Sequence, residues 1–253
     1  MRETDAFLHA LRFMTVLPVR SDETLEADWL SRASKYFPAA GVIVGLAAAL
    51  VFAVASRYWP GFVPAVLAVA TSALLTGALH EDGLADTADG FGGGRSRETR
   101  LVIMKDSRIG TYGTLALAFS VALRIATLAL MTPSFAWAAL IAAHAGARAA
   151  ATWAMTALPY AGDPEATRIT YSVTVLDRSG AMTTLLITLA ALLPALLKAP
   201  SALFAGLILA ALGGLAVVAL ARRLIGGYTG DVLGAVEQVA EIGLLLGLAA
   251  GAY

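Results

Sequence analysis

Seven apolar stretches, each close to the length that crosses a bilayer, leave this chain little choice of architecture. They run over roughly 38–56, 62–80, 112–131, 135–158, 181–197, 201–221 and 232–251. A spanning helix needs about 20 mostly apolar residues, and hydrocarbon offers no water to an unpaired backbone group, so the segments must be helical. Only 14% of the 253 residues are charged, against about 25% in soluble domains. The sequence therefore predicts an all-α, polytopic integral membrane helix bundle of about seven transmembrane helices, in one membrane domain over 1–253. Ahead of the spans, Phe7, Leu8, Leu11, Met14 and Leu17 recur at helical spacing, which predicts a helix lying in the interface within an N-terminal cytoplasmic segment, 1–37. Arg2, Glu3, Asp5, His9 and Arg12 interrupt the first residues, so no removable signal peptide is expected.

Cations fall almost wholly in alternate loops. With the N-terminus inside, the cytoplasmic side holds 14 of the 18 Lys and Arg residues, the far side only Arg57 and Lys198, and Arg124 and Arg148 lie within spans. That bias predicts a multi-pass protein of the cell inner membrane with its N-terminus and active site facing the cytoplasm. The outer connections also lack acidic residues, so chemistry is confined to one face. Basic and acidic residues balance at 18 each, so no charge excess points to nucleic acid. The absence of cysteine excludes disulfides, thiolate metal sites and a cysteine nucleophile. Gly41 and Gly45, and Gly243, Gly247 and Gly251, recur every four residues and would let helix backbones approach closely. Homo-oligomerisation is left open by this pattern.

The most informative stretch, 80–90, leaves the second span directly. On a helix Asp82, Asp86 and Asp89 sit at i, i+4 and i+7, sharing one face. Neighbours about 5–6 Å apart repel by roughly 2 to 3 kcal/mol at an effective dielectric of 20. No Lys or Arg occurs between Arg57 and Arg95, so the face calls for a cation. Oxygen ligands that leave room for substrate phosphates favour Mg²⁺. Glu81 points about 100° away and reads as peripheral, whereas His80 reads equally as a ligand, a proton carrier or a structural residue.

Gly92–Gly94 and Arg95, Arg97 and Arg100 follow, then the string Met104-Lys105-Asp106-Ser107-Arg108-Ile109-Gly110-Thr111-Tyr112-Gly113. Glycines admit phosphate oxygens to the backbone and Lys and Arg supply countercharge, making 81–111 a cytoplasmic acidic and phosphate-binding loop. A third cluster, Gly226-Gly227-Tyr228-Thr229-Gly230-Asp231, opens the last span, with Glu237 and Glu241 further in. Asp231 is placed to cap that helix. An ionised Glu241 inside an apolar helix costs a few kcal/mol unless it meets a partner or a wet cavity, and Arg124 and Arg148 are its candidates.

Together these residues resemble the adenosylcobinamide-GDP ribazoletransferases, also called cobalamin 5′-phosphate synthases, over almost the whole chain. Phe13-Met14-Thr15-Val16-Leu17-Pro18-Val19, Tyr36-Phe37-Pro38-Ala39-Ala40-Gly41, Leu75-Thr76-Gly77-Ala78-Leu79-His80 running into Asp82-Gly83-Leu84-Ala85-Asp86 and Asp89-Gly90, the 104–113 string, Pro159-Tyr160, and Gly226-Gly227 with Thr229-Gly230-Asp231 carry the likeness. Glu81 stands where that family usually has an aliphatic residue, and 161–170 is not glycine-rich. The resemblance implies a transferase that completes the lower nucleotide loop of cobalamin, joining adenosylcobinamide-GDP to α-ribazole or its 5′-phosphate and releasing GMP, with Mg²⁺. It implies Asp82, Asp86 and Asp89 as ligands of Mg²⁺ and diphosphate, and Lys105 and Arg108 as phosphate clamps. Asp89 or Asp231 would be the base. His80, Asp106, Ser107, Gly110, Arg148, Thr229 and Glu241 join Lys105 and Arg108 as substrate-binding candidates. Two other readings compete. A CDP-alcohol phosphatidyltransferase would need an Arg where Asp86 stands. A transporter built on Glu241, Arg148 and Arg124 would need polar groups on both faces.

Overall fold

A computed structural model describes residues 2–19, 28–162 and 176–251. Residues 163–170 of the segment after Tyr160, and Arg20, lie outside them. Among the described residues the chain forms eleven helices: α1 (Glu3–Met14), α2 (Trp29–Ser34), α3 (Phe37–Ala55), α4 (Phe62–Thr76), α5 (Leu79–Gly93), α6 (Arg97–Met104), α7 (Thr111–Ala129), α8 (Pro133–Ala157), α9 (Arg178–Lys198), α10 (Pro200–Leu224) and α11 (Gly230–Ala249). Five of them, α3, α7, α9, α10 and α11, are long and apolar enough to cross a membrane, and α4 with α5 makes a sixth if that bent pair is one span. The expected span over 135–158 is present as α8, 25 residues long, but it is not among those five because His144 and Arg148 lower its hydropathy.

Element ends follow local chemistry. Prolines open α3, α8 and α10, where the missing N–H costs nothing. Only Ala199 separates α9 from α10, so the expected break between Lys198 and Pro200 is the turn itself. The second span stops at Thr76, four residues short of expectation, because Gly77 and Ala78 both adopt the left-handed conformation, with φ of 62° and 57°. The chain there bends by 88° into α5, which leaves the direction of α4 and runs antiparallel along α7, from Glu81 beside Arg124 to Asp89 beside Gly110.

α8 and α11 are the inner helices. They run antiparallel, with Arg148 against Glu237 and His144 against Glu241. Small residues let the rest close around them. A Cβ on Gly45 would lie 2.8 Å from the Leu140 carbonyl oxygen on α8, and one on Gly206 of α10 would lie 2.8 Å from that of Leu244 on α11. Gly243 meets Ala210 and Gly247 meets Gly206, so both expected glycine stripes are helix contacts. Leucines such as Leu186, Leu197, Leu212 and Leu215 remain exposed on α9 and α10, as a lipid-facing surface requires. The N-terminal helix is shorter than expected and is built into the bundle, since Ala10, Leu11 and Met14 pack with Leu30 and Phe37. The segment after it satisfies a free carbonyl at the end of α4, Val16 N–H donating to the Leu75 carbonyl at 2.8 Å.

Candidate active site

The three aspartates share α5 but not one environment. Asp82 is exposed, Asp86 half-buried and Asp89 buried. The Asp89 carboxylate accepts from the backbone N–H of Gly110 at 2.7 Å and of Gly113 at 2.9 Å, so it caps α7. Glycine is needed at both places, because a Cβ on either would strike the Asp89 carboxylate. Burial, followed by repulsion from Asp82, Asp231 and Asp89, pushes the Asp86 carboxyl up to about 7. Its neighbours therefore resist its ionisation.

The fourth aspartate arrives from α11. Gly83 and Gly234 meet where α5 and α11 cross, a Cβ on Gly83 lying 2.8 Å from the Asp231 carbonyl oxygen. The expected cap is corrected here: Thr229, not Asp231, is the N-cap, its hydroxyl accepting from Val232 N–H at 3.3 Å. The same hydroxyl donates to Asp231 at 3.2 Å and aims the carboxylate. Asp82, Asp231 and His80 line one cavity of about 280 Å³ whose other walls include Phe13, Phe37, Met155 and Leu233. The Gly227 backbone presses on the Pro159 carbonyl, and Tyr228 N–H donates to that oxygen at 2.9 Å. Two of the sequence motifs are thus one structural joint.

Asp89 also anchors the basic string, because Gly110 is the N-cap of α7. Lys105, Ser107 and Arg108 are exposed in the connection from α6. Arg108 is not a free clamp, since its guanidinium reaches Asp106 at 2.6 Å and holds that carboxyl down at about 2.

Directly behind the aspartates lies a second, closed cluster. Glu81 faces inward and bonds Arg124 at 3.0 Å. Arg124 also reaches Glu241 at 3.5 Å, Glu241 reaches His144 at 3.2 Å, and Arg148 reaches Glu237 at 2.8 Å. Ser120 donates to Gln238 at 2.8 Å, and His80 Nδ1 lies 3.9 Å from Glu237. Glu81 is therefore a buried ion-pair residue rather than a peripheral one. Pointing 100° from the aspartate stripe is what turns it into the bundle. Arg148 and Glu241 bond within this network and do not line the cavity.

The model of the family described as cobalamin-5-phosphate synthase matches residues 6–249. The chain belongs to that family. Proteins named adenosylcobinamide-GDP ribazoletransferase from Bradyrhizobium diazoefficiens (46% identical), Shewanella baltica strain OS185 (42%) and Shewanella sp. strain ANA-3 (41%) each match 95% of this chain and 92% of their own length. No solved structure matches.

In this cobalamin-5-phosphate synthase family member the donor chemistry decides which cluster suits a divalent ion. Among the described residues, the one group of three whose ligand atoms lie within 4.8 Å of one another is His144, Glu237 and Glu241. Arg124 and Arg148 already pair with its carboxylates, and a divalent cation would sit against two guanidiniums. The aspartates do not converge that tightly, yet Mg²⁺ commonly takes one or two carboxylates and completes its shell with water and substrate phosphate. Asp82 and Asp86, repelling each other with no Lys or Arg ion pair on either among the described residues, fit that description. The sequence alone assigns Glu237 no role. Its signal was a second carboxylate four residues before Glu241 on one helix face, opposite an Arg four residues after a His on another.

Proposed function

We propose that this chain is an adenosylcobinamide-GDP ribazoletransferase, joining adenosylcobinamide-GDP to α-ribazole or its 5′-phosphate with release of GMP. The observation that carries the reading is the cavity lined by Asp82 and Asp231, with Asp86 beside it, in a chain 46% identical to a relative of that name. A ribose hydroxyl oxygen of α-ribazole bonds to the phosphorus attached to cobinamide, and the bond from that phosphorus to GMP breaks. The hydroxyl proton passes to Asp231, which Thr229 aims. Asp89 is poorly suited to be the base because both its oxygens already accept backbone N–H groups. Its part is to hold the 105–113 segment against α5. Asp82 and Asp86 would hold Mg²⁺, which when bound neutralises diphosphate charge. Lys105 would add countercharge near Asp231. The excess of cations on one set of loops supports an inner-membrane protein with this site on the cytoplasmic face.

The lipid-synthase reading lacks its Arg, Asp86 standing there instead. The transporter reading loses its binding groups, because Glu241, Arg124 and Arg148 bond within the bundle. The test is to incubate purified protein with adenosylcobinamide-GDP, α-ribazole 5′-phosphate and Mg²⁺. GMP is expected, abolished by EDTA and restored by added Mg²⁺. No GMP would defeat the proposed activity, and undiminished turnover in EDTA would remove the metal.

A further inference from the structure

The cavity that Asp82 and Asp231 share is mostly apolar, and its shape asks for one part of the substrates more than another. Phe13 and Phe37 stack at 5.7 Å and 17°, and Met14, Leu30 and Met155 complete a wall in which every residue but Phe13 is buried. At about 280 Å³ it lies just below the roughly 300 to 1,000 Å³ range of small-molecule sites. A corrin ring is far too broad for it. Guanosine diphosphate suits it no better, because among the described residues no Lys or Arg lines the space and two aspartates do. A guanine edge would also bury donors and acceptors against apolar carbon, which costs about 1–3 kcal/mol for each group left unpaired.

A flat, methylated heteroaromatic ring meets none of these objections. Stacked phenylalanines present aromatic faces, and two methionines adapt to its outline. With the ring inside, a ribose attached to it would emerge beside Asp82 and Asp231, where the attacking hydroxyl is needed. Resting on the proposed transferase activity, we infer that this cavity, formed by α1, α2, α3, α5, α8 and α11, is the seat of the dimethylbenzimidazole base of α-ribazole. The donor's corrinoid and guanosine parts stay outside it.

Ala151 of α8 is buried in the lining, and Met155 lies one turn further on. Ala151→Leu fills the space and Met155→Ala enlarges it. Steady-state kinetics with each substrate varied in turn should show Ala151→Leu raising KM for α-ribazole about tenfold or more, with KM for adenosylcobinamide-GDP unchanged. The penalty should shrink with the riboside of unmethylated benzimidazole. Met155→Ala should shift preference toward a riboside of a broader ring, such as naphthimidazole, and it decides the matter should the leucine variant not fold. The inference is overturned if KM for adenosylcobinamide-GDP rises instead, or if neither variant changes selectivity among bases. Equilibrium dialysis of α-ribazole alone separates the two readings. Binding that Ala151→Leu weakens, without turnover in the parent protein, would fail the activity and keep the cavity. Turnover with binding insensitive to both variants would do the reverse.

Discussion

Two polar clusters stand back to back on the same two helices, and they treat their carboxylates in opposite ways. Glu81 and Asp82 are adjacent on α5, yet Glu81 bonds a buried guanidinium at 3.0 Å while Asp82 faces the cavity. On α11, Glu237 and Glu241 are paired with Arg148, Arg124 and His144, while Asp231 faces the cavity with Asp82. A carboxylate whose charge is answered within the protein holds helices together. One whose charge is left unanswered is available to a cation or a proton.

The contrast makes the two sides respond differently to mutation. Arg124→Met leaves Glu81 and Glu241 buried without their guanidinium, and should cost about 3–5 kcal/mol of stability, read as a lowered melting temperature in detergent. Specific activity of the fraction that remains folded should be nearly normal, and a selective loss of kcat would mean that the closed cluster takes part in chemistry. Asp82→Asn is the converse. It should lower kcat by about 10²- to 10³-fold with the melting temperature unmoved, and near-normal turnover would remove Asp82 from the mechanism. Gly83→Ala affects both sides, since its Cβ would meet α11 backbone at 2.8 Å. Forcing the helices apart should cost about 1–3 kcal/mol and reduce kcat more than the loss of folded protein explains. A fall in activity that only tracks folded protein would show that the crossing does not set the site.

The sequence shows the open cluster more readily than the closed one. Asp82, Asp86 and Asp89 recur at helical spacing beside an apolar span, and that local pattern needs no tertiary knowledge. Glu81 is hard to place from sequence because its partner, Arg124, lies 43 residues away and the roughly 100° turn of one helical step is enough to carry it from the cavity to the core. The fate of Asp89 was hidden for the same reason: the N–H groups it accepts belong to Gly110 and Gly113, whose glycine character looked like phosphate binding. Helix positions were read well where prolines and apolar length mark them, as at Pro133 and Pro200. They were read less well at Thr76, because a left-handed alanine carries no such mark.

That alanine also sets how firmly the site is held. By turning at Gly77 and Ala78, the chain lays α5 back along α7, from Glu81 beside Arg124 to Asp89 beside Gly110. One side of the helix is thereby bolted to the bundle while the next residue, Asp82, is presented to the cavity, so the reactive carboxylate stands on a braced support instead of a loose loop.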